Sequence, residues 1–116
     1  MAKYFSDEEV KGLVVDIIFK LDRARELFGA PIVITSGYRS ADHNTDVGGV
    51  KDSAHELGKA VDIRCADQDM QKRLIWSLTI AGFRRIGVYS KHIHADVSGA
   101  EDSKPTPSFW VGGESK

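Results

Sequence analysis

Cysteine is almost missing from this chain: Cys65 is the only one in 116 residues. An intrachain disulfide is therefore impossible, and the disulfide framework that stiffens many small secreted domains is excluded. An excess of one charge is missing too. The 16 Lys and Arg stand against 17 Asp and Glu, for a formal net charge of -1, so no basic field exists to hold a phosphate backbone or an acidic membrane by charge alone. Nucleic acid is not an expected partner. Long apolar runs are also lacking: GLVVDIIF, residues 12–19, is broken by Asp16 and is far too short to span a bilayer. Neither a signal peptide nor a membrane insertion is read from the sequence. The expectation is synthesis in the cytoplasm, with any substrate outside it reached by another route than a classical signal. No internal repeat is present, and no linker interrupts residues 5–98.

What is present is ordinary for a folded chain: 41% hydrophobic and 28% charged residues. This length builds one core, so one domain is expected over residues 1–116, with its body over about 5–98, a polar tail over 99–116 and a monomeric state. Without disulfides it must hold by packing, or by packing and a metal. Ser6 followed by Glu9 reads as a capping box, and Val10, Leu13, Val14, Ile17, Leu21 and Phe28 recur at helical spacing. The pattern predicts an amphipathic helix from near Ser6 to about Phe28, stopped by Gly29. IVITS and KAVDIRC read as strands. Between them lies a long glycine- and Asp-rich loop, residues 37–58, of a kind that is usually functional in a compact domain. Asp67 caps a second helix that carries Met70, Leu74, Ile75 and Leu78 and ends at Gly82; RRIGVY and HIHADV then read as two more strands. In the tail, Phe109 and Trp110 are expected to dock on the body while the last residues fray. The order of elements predicts an α+β fold, a small antiparallel sheet with helices packed on one side.

Polar residues placed on these strands converge. His92, His94 and Asp96 alternate with Ile93, Ala95 and Val97 and leave one face together. Asp62 leaves one face of another strand, and His55 stands at the loop edge just before it. Two imidazoles and a carboxylate suit a catalytic zinc, which takes three protein ligands at about 2.0–2.2 Å and keeps one position open. The same residues also fit a turn-capping His55, a surface Asp62 and two solvent-facing histidines; H-x6-D alone has no fixed geometry.

Three blocks carry a resemblance. SGYRSADHN (36–44), VGGVKDSAHELGKAVDI (47–63) and IGVYSKHIHADV (86–97) resemble, in this order, the signature blocks of peptidase M15, the family of zinc D-Ala-D-Ala carboxypeptidases and murein endopeptidases. PSFWVG is similar to the Trp-containing ending of its compact members. The last block also resembles the zinc-bearing amino-terminal signalling domain of hedgehog proteins, which shares the fold. The resemblance implies a hedgehog/D-Ala-D-Ala peptidase-like fold, Zn2+ as cofactor, and His55, Asp62 and His94 as its ligands. It implies that Arg39 faces the substrate as a carboxylate or oxyanion clamp, and that Ser53 belongs to the substrate-binding block.

The chain departs from the family pattern where many members carry an acidic general base, three residues before the last histidine ligand; here Lys91 stands there. His92 is the replacement read from the sequence, since an imidazole near its free pKa of about 6.5 can move a proton from water to the leaving amine. Glu56 and Asp96 are reserves, Asp96 as a residue that orients a ligand histidine. Ser98 stands where relatives often have arginine. The expected function is a zinc metallopeptidase acting on peptidoglycan stem peptides or cross-links, and the lack of a readable signal suggests a phage or prophage lysis enzyme. The alternative is a zinc-stabilised module that binds a wall peptide or a protein.

Overall fold

A computed structural model describes residues 2–40 and 54–114. Ser6 and Glu9 do form the reciprocal pair the sequence suggests, Ser6 N donating to Glu9 Oε1 at 2.9 Å and Glu9 N to Ser6 Oγ at 3.2 Å. They close a run of turns rather than a helix. Helix α1 begins at Val15 and runs to Phe28, because Gly12 takes a φ of +79° and a Cβ there would meet Tyr38 Cγ at 2.6 Å. The predicted start near Ser6 is thus corrected by a bend that Gly12 permits and Tyr38 fills. Val10 and Leu13 still reach the core from the turns, which is why their helical spacing continues across the break. Gly29 ends α1 in the left-handed region.

Strands β1 (Ile34–Ser36) and β2 (Ala60–Arg64) follow, and then α2 (Gln68–Ala81). Asp67 caps α2 by accepting from Met70 N at 2.9 Å, and Gly82 ends it. Strands β3 (Arg85–Val88) and β4 (His92–Asp96) form a hairpin; a short 3-10 turn at Ala100–Asp102 and strand β5 (Ser108–Val111) complete the order. The sheet reads β1-β2-β4-β3-β5. Its first four strands pair antiparallel, as expected, and β5 joins β3 in parallel, which makes the whole sheet mixed. The helices lie on one side. Val61, Ile63, Ile86, Ile93 and Ala95 point to that side and form one apolar cluster with Ile17, Leu21, Leu74, Leu78 and Phe83.

The tail is tied down more firmly than the sequence suggests. Lys59, just before β2, donates to both Asp102 carboxylate oxygens at 2.8 and 3.0 Å, Ser108 N donates to Arg84 O just before β3, and Gly112 N to Val88 O within it. Of the two aromatic residues expected to dock, only Trp110 does. Phe109 pairs with Ile86 on the helix side at the sheet edge and is 60% exposed there, since alternation along β5 sends it away from the face that receives Trp110. The expected fraying at residues 115 and 116 lies outside the described residues.

Candidate metal centre

Register decides which side chains meet. Asp62 pairs with His94, His94 with Gly87, and Gly87 with Trp110, so one row crosses the sheet on the face away from the helices. Ala60, Asp96, Arg85 and Ser108 make the row on one flank; Arg64 and His92 begin the row on the other. His55 arrives from a turn after the long loop. It is buried, and two contacts fix it: Arg39 N donates to His55 O at 3.1 Å, and His55 Nδ1 stands 2.8 Å from Gly37 O.

The atoms that His55, Asp62 and His94 offer as ligands all lie within 4.8 Å of one another. His55 Nε2 is 3.4 Å from Asp62 Oδ2, and His94 Nδ1 is 3.1 Å from Asp62 Oδ1. A carbonyl only accepts, so the His55 nitrogen beside Gly37 O carries a proton, and Nε2 is the atom that would meet a metal. Asp96 does the equivalent for His94: its Oδ2 is 2.7 Å from His94 Nε2, placing a proton there and leaving Nδ1 facing Asp62. Two imidazoles with their far nitrogens engaged and a carboxylate between them match the donor set of a catalytic zinc site, and this group could hold the metal.

Charge in the centre follows from these contacts. Burial pushes the Asp62 carboxyl upward, but hydrogen bonds and charge from His55 and His94 outweigh it and hold the group well below the usual carboxylate range. Burial pulls His94 down, and the hydrogen bonds to Asp62 and Asp96 reverse this to a net rise. Arg39 Nη2 lies 3.5 Å from Asp62 Oδ2, so the predicted substrate clamp stands at the edge of the centre. Asp96 is 1% exposed and fully occupied: its Oδ1 accepts from Arg85 Nε at 2.9 Å and from Ser98 Oγ at 2.6 Å. Ser98, in place of a frequent arginine, serves this buried carboxylate.

His92 leaves the same face as His94, two residues earlier, and its ring stacks on Tyr89 with centroids 4.4 Å apart and planes 4° apart. Burial, helped by the neighbouring His94 and His55, outweighs the pull of Asp62 and keeps its pKa below the ordinary histidine value. Lys91 is exposed in the hairpin turn, and Glu56 sits half-buried beside His55 in the turn. Ser53 lies outside the described residues, as do residues 41–52 of the long loop. Sequence reasoning overlooked Arg85 and Tyr89. The signal was present: alternation in RRIGVY puts Arg85, Gly87 and Tyr89 on one face, as it does His92, His94 and Asp96.

The family model described as Peptidase M15 matches residues 4–96, a span that contains every member of this group. No curated protein matches the chain.

Proposed function

The chain belongs to the peptidase M15 family, and from that premise we propose that it is a zinc peptidase cleaving stem peptides or cross-links of bacterial peptidoglycan, with D-amino acids at or near the scissile bond. The observation that carries the reading is the His55, Asp62 and His94 group, gathered within 4.8 Å with the far nitrogen of each imidazole engaged. Zinc held there supplies Lewis acidity for a scissile carbonyl and makes water acidic enough to react at neutral pH. His92, held neutral near pH 7 by its burial, takes the proton of the attacking water and returns one to the leaving amine. Arg39, always protonated and forked, meets a substrate carboxylate or the negative charge that develops on the scissile carbonyl oxygen. Asp96 keeps His94 turned to the centre, with Arg85 and Ser98 holding Asp96 in turn.

The test is to incubate the zinc-loaded protein with purified murein and measure newly released amino groups. Release that disappears on chelation and in His92→Ala supports the reading; intact murein overturns it. Whether free D-alanine or larger peptides appear separates a carboxypeptidase from an endopeptidase. One feature favours a second reading, a zinc-supported binding module: no carboxylate occupies position 91. That reading predicts intact murein that sediments with the zinc-loaded protein and releases it on chelation.

A further inference from the structure

We propose that Tyr89 is a positioning residue for His92, and that the C-terminal strand, through Trp110 and Gly112, holds Tyr89 in place. The inference rests on the peptidase reading for its catalytic consequence, and on geometry for the rest. Tyr89 and His92 close the β3–β4 hairpin, Tyr89 N donating to His92 O at 2.9 Å, and their rings lie parallel at 4.4 Å. Tyr89 itself is confined from two further sides. Its hydroxyl accepts from Trp110 Nε1 at 3.0 Å, and the backbone of Gly112 passes so close that a Cβ there would lie 2.0 Å from Tyr89 Cε1.

Trp110 is anchored in turn. Its indole occupies the space above Gly87, where a Cβ would come within 2.4 Å of Trp110 Cε2; Arg85 Cζ stands 5.3 Å from the ring centre, and the His94 ring lies 5.4 Å away. The four rings of His94, Trp110, Tyr89 and His92 thus enclose one corner of the metal face. A side chain on a strand has several staggered rotamers open to it, and a parallel ring packed against its face favours one of them. A proton carrier has to be within hydrogen-bond reach when the bond breaks, so a fixed ring gains rate where a turning one loses it. The strand that the sequence presents as a tail therefore completes the catalytic face, although it supplies no metal ligand.

The proposal is tested by proton NMR and kinetics on the full chain. Stacking moves the His92 ring protons upfield; the shift is expected in the wild type, smaller in Tyr89→Phe, which loses the Trp110 hydrogen bond, and lost in Tyr89→Leu. On a murein-derived peptide, Tyr89→Leu is expected to lower kcat about 10- to 100-fold with KM and zinc content close to wild type, with Tyr89→Phe falling between the two. A wild-type His92 without the upfield shift, or a Tyr89→Leu enzyme with unchanged kcat, overturns the proposal. Should Tyr89→Leu fail to fold, the wild-type shift and the Tyr89→Phe enzyme still decide. A wild type that leaves murein intact counts against the peptidase reading, whereas the shift decides the positioning in either case.

Discussion

Asp62 receives four neighbours on three oxygens: Thr35 reaches its backbone carbonyl, while His55, His94 and Arg39 crowd its carboxylate. The hydrogen bonds and charge of His55 and His94 keep this half-buried acid ionised against the cost of its burial. The same negative charge serves a bound cation. Asp62→Asn keeps the shape and removes the charge, so zinc affinity is expected to fall at least about tenfold. The helices are packed on the other face and should persist. Metal content after dialysis and far-ultraviolet circular dichroism check both halves of this prediction; an unchanged metal content removes Asp62 from the ligand set.

At the level of elements, β5 depends on a missing side chain. Gly87 has no Cβ to oppose Trp110, and Gly87→Ala would set one 2.4 Å from its indole. The expected result is a displaced indole, a loss of about 1–3 kcal/mol in unfolding free energy, and a red shift in Trp110 fluorescence, with Trp76 already exposed and little changed. An alanine variant as stable as the wild type would mean that β5 adapts. This strand also marks where the sequence stops being readable. The four antiparallel strands and α2 announce themselves by local alternation, by the Asp67 cap and by Gly82, all of which act within a few residues. Strand β5 pairs in parallel with a segment more than 20 residues earlier, and nothing in SFWV names that partner. Residues 6–14 fail for a related reason: the capping box is real, but Tyr38 sits over Gly12 from a distant loop, and tertiary contact overrides the local helical signal. The gathering of His55, Asp62 and His94 was legible because period-two spacing and the motif blocks both act locally. Tyr89 was legible only as a member of that polar face, since its contacts with Trp110 and Gly112 come from a strand whose pairing the sequence does not announce.

The molecule as a whole divides its tasks between the faces of one sheet. Ile93 and His94 are neighbours in sequence, yet Ile93 is fully buried among the helices while His94 faces the centre. The core lies on one side and the candidate metal group on the other, with the backbones of β2, β3 and β4 shared between them. If the faces are energetically separate, a defect in the core should leave the metal face untouched. Ile93→Val removes one buried methylene and is expected to cost about 0.5–1.5 kcal/mol, lowering Tm by several degrees at this chain length. Zinc stabilises the folded chain by its binding free energy, so the increment in unfolding free energy on adding saturating zinc should be equal in wild type and variant, within about 0.5 kcal/mol. Denaturant unfolding of both proteins, with zinc and with chelator, measures all four corners of that cycle. A smaller zinc increment in Ile93→Val would show that core packing reaches the ligands through β4, and the two faces would then have to be treated as one cooperative unit.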